Sequence, residues 1–194
     1  MDRIKSAYEM ALERFSKRKE VPRSEIDRME YESAGSRAAA AFLKERDYDL
    51  KAEIDRHPEP YRGYVADGIQ KTLLYNIMLP SDRTFKETNR RAMEGILAVK
   101  KNKRAVKELF NQLEHLFNYY EKSLAQAYSQ FKEYFSEKIN AQVKLLEKRS
   151  GKKIKVNPEI QPGFQEEWMK IRSQLNQQYE SVLKEQKEKL LQIP

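Results

Sequence analysis

The chain has 194 residues, of which 39% are hydrophobic and 35% charged, with a mean hydropathy of −0.90 and a formal net charge of +8. That composition is too polar for one thick globule of this length and suits long helices, each hiding a narrow apolar stripe. The absence of cysteine excludes disulfides and thiolate metal sites, and the longest apolar run, the six residues 38–43, is far short of the roughly 18 needed to cross a bilayer.

The opening residues Met1-Asp2-Arg3-Ile4 are charged and already amphipathic, unlike a signal peptide, so a soluble cytoplasmic protein is expected. Over 2–19, Ile4, Ala7, Tyr8, Ala11, Leu12 and Phe15 recur at helical spacing and predict a first helix. Pro22 breaks it, and Ser24 is placed to cap a second helix whose stripe reads Ile26, Met29, Ser33, Ala38, Ala41 and Phe42. So many small residues predict a neighbouring helix in close approach. A charged stretch over 44–55 holds a short helix at about 50–54 and ends at His57-Pro58-Glu59-Pro60, where proline disfavours helix before it.

A third helix is expected over about 61–78, with Val65, Ile69, Leu73, Leu74 and Ile77 inward, stopped by Pro80. Ser81 or Asp82 caps a fourth, whose inner face is Phe85, Ala92, Met93, Ile96 and Val99. Asn102 reads either as a left-handed cap closing that helix or as one residue of an unbroken continuation. From 103 to 150 no proline or glycine intervenes. Two eleven-residue series run through this stretch, Val106, Phe117, Tyr128, Ile139 and Leu113, Leu124, Phe135, Leu146, and eleven residues is close to three whole turns. They predict one straight helix of about 70 Å at roughly 1.5 Å per residue, stopped by Gly151.

Residues 152–162 read as an extended connector, and a last helix over about 164–192 carries Phe164, Trp168, Ile171, Leu175, Tyr179, Val182 and Leu190 on one stripe. The two long helices form an antiparallel hairpin. A tight turn at Gly151 would set Leu146 level with Phe164 or Trp168 and leave Val106 to Tyr120 for the N-terminal helices to cover. The expected architecture is all-α, coiled-coil-like in its second half: a helical bundle head over 1–102 and a long hairpin over 103–194, the two either separate or one continuous domain.

Chemistry is hard to place on this chain. His57 lies four residues from Glu53 at a helix end before proline, a common setting for a histidine that satisfies terminal carbonyls, and His115 lacks the Glu-x-x-His spacing of carboxylate-bridged metal bundles. No Gly-x-Ser-x-Gly turn, phosphate-cradling loop or dinucleotide fingerprint occurs. Carboxylate pairs such as Glu30 with Glu32 and Glu166 with Glu167 are ordinary on solvated helix faces. Phe110, Phe117, Tyr120, Tyr128, Phe131, Tyr134 and Phe135 follow the helical stripe and read as core, since base-stacking platforms need exposed rings.

Charge is uneven. Lys and Arg number 15 against 16 Asp and Glu over 1–82, nine against two over 83–107, and 14 against 12 thereafter, so seven of the eight net positive charges fall in 25 residues. A second cluster, Lys148, Arg149, Lys152, Lys153 and Lys155, marks the hairpin tip; cations gather at helix C-termini and in solvated loops, a tendency that covers the tip and part of Lys100 and Lys101. That tendency does not account for Arg83, Lys86, Arg90 and Arg91.

The phrase Arg3-Ile4-Lys5-Ser6-Ala7-Tyr8-Glu9-Met10-Ala11-Leu12-Glu13-Arg14, with Lys107-Glu108-Leu109-Phe110-Asn111-Gln112-Leu113-Glu114, resembles helical bacterial proteins of an uncharacterised family of unknown function. The resemblance implies a bacterial source and no activity, and it carries over no site residue. The functional expectation is a non-catalytic helical scaffold or adaptor without cofactor or metal, whose hairpin meets another protein or, as a homodimer, its own copy. The alternative is sequence-independent binding of nucleic acid or an acidic membrane surface through Arg90, Arg91, Lys100, Lys101, Lys103, Arg104 and Lys107, although no nucleic-acid module is visible.

Overall fold

A computed structural model describes residues 6–10, 22–153 and 155–194. Its helices are α1 (Arg23–Lys44), α2 (Leu50–Asp55), α3 (Arg62–Asn76), α4 (Arg83–Val99), α5 (Lys103–Ser150) and α6 (Phe164–Gln192), with short 3-10 turns at Glu59–Tyr61 and Pro158–Ile160. No strand occurs among the described residues, and the fold is all-α. Most of the helix expected over 2–19 lies outside them. Within 6–10, Ser6 and Glu9 form a reciprocal capping box: the Glu9 amide donates to Ser6 Oγ at 3.1 Å and the Ser6 amide to Glu9 Oε2 at 2.8 Å.

Local chemistry sets the other ends. Asp82 accepts from the Thr84 and Phe85 amides at 2.8 and 3.2 Å and starts α4, while Gly151, at φ 66°, donates to the Glu147 carbonyl and stops α5. Two expectations change. Pro22, not Ser24, occupies the cap position of α1, its carbonyl accepting from Glu25 and Ile26. Asn102 is not left-handed, at φ −83°; its side chain accepts from the Ala105 amide at 3.2 Å, so it opens α5 after a true break.

In the head, α1 and α3 run in the same direction. Tyr31 stacks on Tyr61 at 4.2 Å near their starts, and Phe42 and Leu73 converge on Gly95 of α4 at their ends. Between these points Gly35 and Gly68 let the two backbones touch: a Cβ on Gly35 would stand 2.0 Å from the Val65 carbonyl oxygen, and one on Gly68 would stand 2.1 Å from that of Glu32. The close approach read from the small residues is therefore present. Its face is Gly35, Ala38, Ala39 and Phe42, and Ile26 and Met29 of the expected stripe are exposed. Val65, Ile69, Leu73, Ile77, Ala92 and Ile96 are fully enclosed beneath it. Asn89, also buried, donates to the Met78 carbonyl at 2.7 Å and accepts from its amide at 2.9 Å, pairing backbone left open where α3 ends.

The hairpin is antiparallel with a register different from the expected one. Phe164 packs on Phe131 and Phe135 at 4.8 and 5.1 Å between ring centres, Trp168 packs on Tyr128 at 4.9 Å, and Tyr120 donates to Asn176 at 2.8 Å. The connector does not turn tightly at Gly151. It runs back along α5, where Glu159 accepts from Tyr128 and Lys132 at 2.7 Å each. Starting further back, α6 reaches the head, so Val106, Phe110, Leu113 and Tyr120 share one core with Leu183, Leu190 and the head helices. Leu183 takes the buried place expected of Val182.

Candidate functional site

The basic band divides into groups with different tasks. Arg91 lies over the Phe42 ring at 3.5 Å and donates to the carbonyls of Phe42, Glu45 and Arg46, so its planar fork closes the C-terminus of α1. Lys100, only 3% exposed, donates through Nζ to the carbonyls of Leu191 (3.2 Å) and Ile193. Next to it, the Lys101 and Asn102 amides both donate to the Pro194 oxygen at 3.2 Å. Lys103 folds back onto the Leu97 and Ala98 carbonyls and closes α4. Burial pushes the Lys100 ammonium below its ordinary range, with Asp67 opposing, and burial likewise lowers Lys103.

Arg90 and Arg104 stay exposed and pair along their own helices with Glu94 (3.7 Å) and Glu108 (3.2 Å). Lys101 and Lys107 are exposed as well. Of the residues outside the expected site, Lys86 bridges to Glu121 at 2.6 Å and Arg83 to Glu87 at 2.9 Å. The seven cations that the sequence groups together thus do not form one surface. Arg91, Lys100 and Lys103 point into helix ends, and Arg90, Lys101, Arg104 and Lys107 face solvent.

Leaving the hinge at 100–102, α4 and α5 run antiparallel and splay apart. The groove between them has a volume of about 600 Å³, a floor that includes Met93, Leu97, Phe110 and Phe117, and the Lys86–Glu121 bridge at its far end. Three cations, Lys86, Arg90 and Lys107, and three carboxylates, Glu94, Glu114 and Glu121, line its rim, which therefore favours neither sign of charge. A smaller cavity of about 470 Å³ separates the turn after α3 from α6, between Met78, Phe85, Tyr120 and Lys187. Among the described residues no group of three His, Asp or Glu converges in a metal-binding arrangement. His57 stands 3.8 Å from Glu53 and edge-on to Tyr31.

Away from the head the hairpin is two helices deep. Phe131, Phe135 and Phe164 are buried in a small core of their own, ringed by the half-buried Tyr128, Ile139, Trp168 and Ile171. Of the aromatic stripe, Phe110, Tyr120, Phe131 and Phe135 are core as expected, Phe117 and Tyr128 are half-buried, and Tyr134 is 61% exposed; Met169 on α6 is 67% exposed. The sequence gives no sign of which flank stays open, because that follows from how α6 is aligned on α5. No helix among the described residues is long and apolar enough to cross a membrane.

The chain belongs to DUF6657, a family of unknown function, which matches it over residues 51–192. The match takes in α3 to α6 and excludes α1, although α1 supplies one side of the glycine contact at the centre of the head. No curated protein and no solved structure matches the chain.

Proposed function

We propose that the protein is a non-catalytic scaffold or adaptor of the bacterial cytoplasm that works through its hairpin, by pairing with a second copy or with a partner helix. One observation carries this reading. Where the 48-residue α5 leaves the head it is accompanied by a single neighbouring helix, and that pair leaves Tyr128, Ile139, Trp168 and Ile171 only half-covered and Tyr134 and Met169 open. Large apolar side chains that a fold cannot cover from within are commonly covered by association, and a closed twofold pair is the commonest arrangement.

Light scattering coupled to size exclusion, at tens of micromolar chain, tests the self-association. A dimer that Tyr134→Glu with Met169→Glu converts to a folded monomer is the expected result. A wild type that stays monomeric removes the homodimer and leaves a partner helix as the occupant. A dimer insensitive to both substitutions places the interface elsewhere and overturns the hairpin reading.

A further inference from the structure

We infer that the far tip of the hairpin, residues 144–155, docks electrostatically on an anionic lipid bilayer. Lys144, Lys148, Arg149, Lys152, Lys153 and Lys155 lie within these twelve residues against the single carboxylate of Glu147, and all six cations are exposed. Any pairing with Glu147 leaves the segment at +5. Lys148 and Arg149 sit in the last turn of α5, where cations complement the helix dipole, but Lys152, Lys153 and Lys155 lie beyond the helix.

The nearby acidic residues do not cancel this charge: Glu159 is matched by Lys132 at 2.7 Å, Glu167 by Lys138 at 3.4 Å and Glu166 by Lys170 at 2.7 Å, and Glu137, seven residues before Lys144, subtracts at most one from it. The head does not offset it either. The 48 residues of α5 set the tip about 70 Å from the hinge, many times the roughly 8 Å over which physiological salt screens a charge. In the basic band three of seven cations close helix ends, whereas at the tip all six are exposed.

The side chains favour lipid over nucleic acid. No aromatic residue occurs between Phe135 and Phe164, in a chain that is 10% aromatic, so the tip offers no platform on which bases stack. Five of the six cations are lysines, compact point charges that lack the fork with which arginine reads bases and phosphates. Val156 follows Lys155; an aliphatic residue contributes nothing to a phosphate contact on a duplex but gains from the headgroup boundary of a bilayer. Clusters of four to eight cations are the usual size for recognising anionic leaflets.

Co-sedimentation of the full chain with phosphatidylcholine vesicles, with and without phosphatidylserine, at low and physiological salt, tests the inference. Binding should require phosphatidylserine and weaken with salt. A cation near an anionic leaflet is worth roughly fivefold in affinity, so Lys152→Gln with Lys153→Gln and Lys155→Gln should weaken binding about a hundredfold. Arg90→Gln with Lys101→Gln and Lys107→Gln should bind as the wild type does. The inference is overturned if vesicles are not bound at low salt, if the tip variant binds like the wild type, or if the band variant loses as much. Duplex DNA that displaces the vesicles at equal phosphate concentration would make nucleic acid the ligand instead.

Discussion

Replacing Gly35 by alanine puts a methyl carbon 2.0 Å from the Val65 carbonyl oxygen and 2.9 Å from the Ile69 nitrogen. Ordinary contact begins at 3.4 Å, so α1 has to move 1.4 Å away from backbone that cannot rotate aside. Ala38, Ala39, Val65 and Ile69 are packed within the same contact, and a gap of about 1 Å forfeits up to half of each dispersion contact across it. Overpacking of this kind costs about 1–3 kcal/mol. Because the offending atoms are main chain, Gly35→Ala should fall at the upper end, about 3 kcal/mol, partly offset by the ~1 kcal/mol that alanine gains in helix propensity. The net loss of about 2 kcal/mol corresponds to a fall of roughly 4–8 °C in melting temperature for a chain of this size.

Gly68→Ala meets the Glu32 carbonyl at 2.1 Å and forces the same helices apart. Once they have separated, the second methyl finds room already made, so the double variant should lose less than the sum of the two. Gly63, in the first turn of α3, has nothing within 4 Å of an added Cβ, and Gly63→Ala should hold or raise stability by a few tenths of a kcal/mol. Thermal and urea unfolding followed by circular dichroism at 222 nm measures all four proteins. A Gly35→Ala protein as stable as Gly63→Ala, or fully additive losses at Gly35 and Gly68, would refute backbone contact between α1 and α3.

Lys100→Met keeps the packing but removes a charged donor from the Leu191 and Ile193 carbonyls, and urea unfolding should register a loss of about 2 kcal/mol. The same ammonium binds its proton more weakly folded than unfolded, so the wild type should gain stability as pH rises toward the ordinary value of 10.5, and this gain should be missing in Lys100→Met. Arg91→Lys loses the fork that reaches three carbonyls and the Phe42 ring at once, and should cost about 2 kcal/mol in the same assay. On the acid side, Lys71 and Arg28 hold the Glu32 carboxyl below its usual range, so its contribution should be present above pH 4.5 and lost as pH falls through the folded value; Glu32→Gln should flatten that part of the stability curve. Trp168 is the one tryptophan of the chain and reports the hairpin register directly: Phe131→Ala should shift its fluorescence to the red, and an unshifted spectrum would refute the register.

Features that act within a few residues along the chain are legible from the residues alone. Asp82 before α4, the uninterrupted run from 103 to 150, Gly151 after it and Gly163 ahead of Phe164 fix helix ends, because a cap or a stop acts on backbone groups in the adjacent turn. The small residues of α1 likewise announced a close neighbour, without saying that Gly68 would face them. Pairings between distant positions follow from packing instead. Arg91 finds the end of α1 49 residues away and Lys100 the end of α6 more than 90 away, so three of the cations that look like one basic surface in sequence close three different helix ends and four stay in solvent. The hairpin register was hidden for the same reason. Periodicity gives the face of each helix but not how far one slides along the other, and that was set by a connector long enough to run back and by Glu159 meeting Tyr128 and Lys132 about 30 residues upstream.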